Sequence, residues 1–179
     1  MSESQQLSDL ISAVYDAALD TAMWTPALKL TAGFLRSAAT TLGSFDAVQS
    51  NGTLDYSWGY DPAHLALYAE RYAKLNPLIP ASVETQIGDV VAAYSLMSEA
   101  TFKATLVYRE WAKPQGYVDA AQAMLERSGT AFAVLAAVRH ESVGRVDETM
   151  LRRMRLLVPH FRRAVLIGKV IDLKTVQAA

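Results

Sequence analysis

The side chains in this chain that are best suited to chemistry are aromatic and amide groups. Tyr68, Tyr72 and Asn76 recur every four residues, and Tyr108 and Trp111 follow at helical spacing. Trp58, Tyr60, Phe102, Asp119 and Met124 come from neighbouring segments. Brought together they would make a mostly apolar cavity with a few fixed polar groups, the usual makeup of a small-molecule site. The same residues would serve equally as core, because Tyr and Trp at helical spacing commonly pack. Asp119, a lone carboxylate on an apolar segment, has three readings: a strand end facing solvent, a partner of Arg109 or Lys113, or part of the cavity wall. Catalysis has little to work with. The three histidines, His64, His140 and His160, are scattered, with no metal-ligand spacing and no adjacent nucleophile. No phosphate-binding loop, G-x-G-x-x-G or G-x-S-x-G motif is present. The sequence therefore points away from an enzyme or a metal site, and it singles out no cofactor.

Composition sets the class. The chain has 179 residues, 51% apolar and 20% charged, which suits one globular domain with a substantial core. No stretch approaches the roughly 18 uninterrupted apolar residues of a membrane span. The opening MSESQQLSDL lacks the basic segment of a secretory signal. With no cysteine there are no disulfides or thiolate sites, and the expectation is a cytoplasmic protein without membrane association. The net charge of −1 conceals an asymmetry: residues 1–100 carry four basic and eleven acidic groups, and residues 101–179 carry thirteen and seven. Much of the positive charge falls on Arg152, Arg153, Arg155, Arg162, Arg163 and Lys169. These fit a solvated face balanced by the acidic half, or a weaker nucleic-acid contact.

The elements that must position these residues follow from periodicity and breakers. Leu7, Leu10, Ile11, Val14, Ala17 and Ala18 predict a helix capped by Ser4 or Ser8. A second helix is expected over 26–39, with Thr25 as cap and Pro26 at its first turn. Strands at 45–50 and 53–58 flank Asn51-Gly52, a strong hairpin signal. Asp61-Pro62 opens a helix that Asn76-Pro77 stops, and a short strand is expected within 87–94. A helix from Ser98 ends where Pro114 and Gly116 break it. Residues 117–127 and 130–140 read as an antiparallel pair that is apolar on both faces. One parity carries Ala120, Met124, Phe132 and Val134; the other carries Ala121, Ala123, Leu135 and Ala137. Such strands are central and covered on both sides. The order predicts an α+β domain, an antiparallel sheet between helical layers.

The last element, 146–176, reads as one long helix with more apolar surface than a small domain needs. Met150, Met154, Leu157, Phe161, Ala164, Gly168 and Ile171 recur at alternating steps of four and three. Leu151, Val158, Val165, Leu166 and Val170 lie on another face. One stripe docks on the body and the other needs a partner. Assigning Met150, Met154, Leu157, Phe161, Ala164 and Ile171 to the partner predicts a homodimer that a charge at Met154 or Phe161 would split.

Four segments together resemble a known family: LSDLISAVYDAALDTAMW (7–24), GYDPAHLALYAERYAKLNPL (59–78), YREWAKPQG (108–116) and MRLLVPHFRRAV (154–165). They are similar to the N-terminal sensor region of LuxR-type helix-turn-helix transcriptional regulators, in the subgroup that begins with a GAF/PAS-like domain. The resemblance spans nearly the whole chain. It implies a single sensor domain over 1–179, a ligand pocket between sheet and middle helices, and 146–176 as the dimerisation and signalling helix. No DNA-binding helix-turn-helix of the family's kind is found in these residues, so the expectation is an excised sensor domain, with a natural fragment as the alternative. More distantly it extends to domains that bind acyl-homoserine lactones, which carry a tyrosine four residues before Asp-Pro. Tyr72 keeps that spacing, but Asn76-Pro77 replaces Asp-Pro, and Ala63 and His64 lie where those domains hold a tryptophan. The replacement removes the ionised acceptor for a ligand amide.

Overall fold

Ser2 begins the first helix: its hydroxyl accepts from the Gln5 N–H, and α1 runs over Glu3–Leu19, two residues earlier than Ser4 would start it. The computed structural model describes residues 1–46, 48, 49 and 51–178. Asp20 caps a 3-10 turn at Thr21–Met23 that feeds directly into α2 (Trp24–Leu35), so the helix starts before Pro26. Arg36, in the left-handed region at φ 54°, ends it and frees β1 (Ala39–Asp46) to begin six residues before the expected strand. Thr40 secures that start, donating its hydroxyl to Leu28 O.

The hairpin turn lies elsewhere than expected. Asp46 faces Asn51 across the ladder, so Asn51-Gly52 belongs to β2 (Asn51–Trp58) and the connection falls on 47–50. Ala47 and Ser50 of that stretch lie outside the described residues. Asp46 organises it, with Oδ1 accepting from the N–H groups of Val48 and Gln49. Gly52 is needed in the strand for its lack of a side chain, because the Phe45 ring opposite occupies the space where a Cβ would stand.

After β2 the chain runs through α3 (Pro62–Leu67), a π-turn (Tyr68–Tyr72), a 3-10 turn (Ala73–Leu75) and α4 (Leu78–Ala81). Next come β3 (Val90–Ala92), α5 (Ala93–Leu96), α6 (Glu99–Lys103, capped by Ser98) and a second π-turn at Val107–Ala112. The long strands β4 (Tyr117–Ser128) and β5 (Ala131–His140) precede α7 (Glu148–Ala178). The five strands form one antiparallel sheet in the order β2-β1-β5-β4-β3, so β5, β4 and β1 are interior, as their apolar faces require. The α+β expectation holds.

Helices α1, α2 and α7 cover one face. Leu10, Val14, Leu28 and Leu35 meet Leu42, Ala121, Ala123, Leu135 and Ala137 of the sheet, with Met150, Met154, Leu157 and Phe161 of α7 in the same core. Small residues on the strands let the helices come close. Arg153 ties the layer together, pairing with Glu3 of α1 and donating to Phe34 O of α2.

This packing corrects the assignment of the α7 stripe. Met150, Met154, Leu157, Phe161 and Ala164 are at most 1% exposed and sit against the chain's own α1, α2 and sheet. A four-three repeat marks any buried helix stripe, including one docked on its own domain. Of the six residues assigned to a partner, only Ile171 remains partly open, at 37%. Other apolar side chains of α7 are exposed, Leu156 and Val176 among them, and Leu166 (60%), Val170 (44%) and Leu173 (63%) are again spaced four and three. The basic residues fit a solvated, charge-balanced face: half-exposed Arg152 pairs with Glu3 and half-exposed Lys169 with Glu126, while Arg162 donates to Leu125 O. Among the described residues no helix is long and apolar enough to cross a membrane.

Two outcomes follow. Met154→Glu or Phe161→Glu buries a charge in a sealed core and should lower folding stability by about 4 kcal/mol or more, read by denaturant unfolding, whatever the state of assembly. His160, beside the Tyr15 hydroxyl and near Arg163, has its pKa lowered from 6.5, first by burial and then by Arg163. The unfolded chain therefore takes up a proton near pH 6.5 that the folded chain refuses until lower pH. Stability should fall on acidification through that window, and His160→Gln should flatten that part of the profile.

Candidate functional site

The two faces of the central strands differ in how closely they are covered. On the helix face Ala121, Ala123, Leu135 and Ala137 retain no accessible surface. On the opposite face Ala120, Gln122, Ala136 and Val138, their immediate neighbours, remain only half-buried. The middle segments stand off from this face and border a partly open cavity of ≈ 140 Å³. Thr41, Gln122, Ala136 and Val138 form its sheet wall; Tyr68, Ile79, Phe102, Val107 and Trp111 form the other.

Both π-turns supply this second wall. Tyr68 comes from the first, and Val107, Trp111 and Ala112 from the second. A π-turn widens the helix and redirects side chains that a regular 3.6-residue repeat would place elsewhere. The aromatics brace one another: Tyr68 and Trp111 centroids are 4.8 Å apart, and Trp111 and Tyr117 are 5.7 Å apart. The Trp111 indole N–H donates to His64 O at 2.8 Å, pinning the second π-turn to α3. Asn76 Nδ2 donates to the Tyr68 hydroxyl, while its Oδ1 accepts from the Leu78 N–H at the start of α4. Both ends of the Asn76 amide are therefore occupied within the protein.

Of the residues singled out from sequence, Tyr60, Tyr68, Asn76, Phe102, Trp111 and Asp119 meet around the cavity. Four do not line it. Tyr72 lies behind, donating its hydroxyl to Glu110, and half-buried Tyr108 packs on Phe102. Met124 belongs to a neighbouring apolar cluster with Phe45, Ile79, Phe132 and Val134. Trp58 packs on the helix layer. Its misplacement has a local cause. Between Leu42–Tyr56 and Ser44–Thr53 the register slips by a residue, a bulge that puts Leu54 on the cavity side and Tyr56 and Trp58 on the other. Gly59, at φ 89°, then turns the chain so that Tyr60 returns to the cavity.

Asp119 has Oδ1 accepting from the Ala120 N–H and Oδ2 accepting from the Val146 N–H, and it pairs with neither Arg109 nor Lys113. Burial raises its pKa, an effect these two backbone bonds oppose. Burial also raises the Tyr68 phenol, and that of Tyr60 far above the ordinary range, so both carry their protons. The Thr41 side chain offsets part of the Tyr60 shift, yet Thr41 Oγ1 makes no hydrogen bond of good geometry. Among the described residues no cluster of His, Asp or Glu has the arrangement of a metal site.

Sequence reasoning missed Gln122, Ser82, Tyr117 and Phe45, which also line the cavity. Gln122 had a usable signal: it is the polar residue on the parity that carries Ala120 and Met124. Ser82 had none, since its segment has no clear period.

No family model matches the chain, and no curated protein matches it in sequence. Solved structures do. The VqsR LBD domain of Pseudomonas aeruginosa superposes with a TM-score of 0.72 at 15% identity, covering 90% of this chain and 94% of that one. The GAF domain of a phosphoenolpyruvate-protein phosphotransferase from Coxiella burnetii gives 0.62 at 12% identity, covering 96% and 99%. The phycoerythrobilin-bound GAF domain of a cyanobacterial phytochrome gives 0.63 at 12%, covering 96% and 98%. The fold is GAF-like.

The unequal faces predict opposite responses to one substitution at adjacent positions. Ala136→Val adds two methylene equivalents in open space and should stabilise by roughly 1–2 kcal/mol, at about 0.8 kcal/mol per buried methylene. Ala137→Val overpacks the sealed helix face and should destabilise by roughly 1–3 kcal/mol. Equal losses at both sites in urea unfolding would show that the cavity is not real.

Proposed function

We propose that this chain is the ligand-sensing and dimerisation input domain of a LuxR-type transcriptional regulator, cytoplasmic and without catalytic activity of its own. The observation that carries this reading is the cavity, with its half-open sheet face, aromatic wall and few polar groups. That is the composition of a small-molecule site. The likeness in fold to a regulator's LBD domain and to GAF domains supports it. The family resemblance of the four sequence segments supports the link to transcription, with DNA reached through a helix-turn-helix outside this chain. The lactone chemistry of the distant relatives is not carried over, because Asn76 is committed to Tyr68 and Leu78.

The route from cavity to output runs through Asp119. It belongs to the cavity wall and also accepts the Val146 N–H just ahead of α7. Arg139, its cross-strand neighbour, reaches Asp147, which caps α7 by accepting from the Met150 N–H. A ligand that binds one placement of β4 better than another would shift α7 with it, to the extent that its affinities for the two differ. The partner surface is the exposed face of α7 formed by Leu166, Val170 and Leu173. A second reading, a structural dimerisation module without ligand, rests on that same exposed face and needs no cavity.

Sedimentation tests the pairing. Leu166→Glu combined with Leu173→Glu should halve the mass of the assembly with little change in melting temperature, since both side chains are exposed. A mass unchanged by the double substitution removes this face as the interface. A metabolite fraction that raises the melting temperature of wild type but not of Ala136→Val would separate sensor from structural module.

A further inference from the structure

Resting on the reading of the cavity as a ligand site, its polar groups define what it accepts. Two of them have hydrogen-bonding roles fixed by their neighbours. The Ser82 hydroxyl gives its one proton to Leu78 O at 2.6 Å, so towards Gln122 it can only accept. The Gln122 amide therefore presents Nε2 to Ser82, at 2.5 Å, and leaves Oε1, on the cavity wall, without a hydrogen-bond partner among the described residues. Across the space, Asn76 Oδ1 is held by the Leu78 N–H, so the Asn76 Nδ2 amino group is the end that meets Tyr68. The Tyr68 oxygen thus accepts from within the protein, and its proton is free to donate.

Charge and size narrow the choice further. Among the described residues no Lys, Arg or His lines the cavity, so an anionic group would be desolvated with no cation to meet it. The one carboxylate, Asp119, already has both oxygens engaged by backbone N–H groups. The volume of ≈ 140 Å³ is close to that of a cavity that holds a benzene ring.

We infer that the cavity selects a compact, uncharged, largely apolar molecule of ring size that carries one hydroxyl or N–H group, which donates to Gln122 Oε1. Ligands bearing phosphate or carboxylate are rejected by the wall.

The test uses the full chain at pH 7 with three probes of one ring size: phenol, toluene and benzoate, by calorimetry and thermal shift. Phenol should bind about tenfold tighter than toluene, a difference of ~1.4 kcal/mol, and benzoate should be the weakest. Gln122→Met, which keeps the bulk and removes the acceptor, should cost phenol about tenfold and leave toluene unchanged. Should that variant fold poorly, the ranking of the three probes on the wild type decides alone. Benzoate binding as well as phenol, or a phenol-to-toluene ratio unaffected by Gln122→Met, overturns the inference while leaving a ligand cavity in place. Binding of none of the three, toluene included, overturns the cavity reading itself and this inference with it.

Discussion

Alanines at 121, 123 and 137 let α1, α2 and α7 settle directly onto the sheet, and the rest of the molecule depends on that close approach. A helix layer seated at this distance leaves no accessible surface on the strands beneath it, as close packing of protein interiors demands. The hydrophobic gain of the chain is concentrated there, with Trp24, Phe161 and the α7 methionines interlocked. The opposite face is thereby released from the duty of holding the fold. It can be covered loosely, by short helices and turns, without loss of the sheet.

That loose cover is nonetheless ordered. Two π-turns carry the aromatics, and polar bonds tie them in place: Trp111 to His64 O, Asn76 to Tyr68, and Tyr72 to Glu110 between the two turns. Such bonds matter through the cost of leaving a buried donor unpaired rather than through net attraction. They hold the wall away from the sheet as much as they hold it together. Arg71 and Glu110 pair beside the Tyr72 hydroxyl on the outside of the same wall.

The connection to α7 is polar where the rest of the layer is apolar. Arg139 is almost wholly buried and its guanidinium reaches Asp147 and the Met150 sulfur, while Asp119 on the facing strand holds the Val146 N–H. A buried arginine beside a helix start fixes the direction in which the helix leaves the sheet, a role that an apolar residue would fill less specifically. Cavity wall and terminal helix thus share one strand pair, β4 and β5.

The sequence by itself determined the elements whose period is unbroken. The amphipathic α1, the strands 117–127 and 130–140 with their two parities, and the long α7 stand where the pattern put them, because alternation and the 3.6 repeat are set by local geometry. It also identified most of the cavity aromatics, since Tyr and Trp near helix-stopping Asn76-Pro77 and Pro114 are conspicuous. Tertiary structure alone decided three things. The β1–β2 bulge sent Trp58 to the helix layer, because one extra residue in a strand inverts every side chain beyond it. The π-turns chose which aromatics face inward. The α7 stripe met its own domain rather than a partner, because a four-three repeat specifies that a face is buried but not against what.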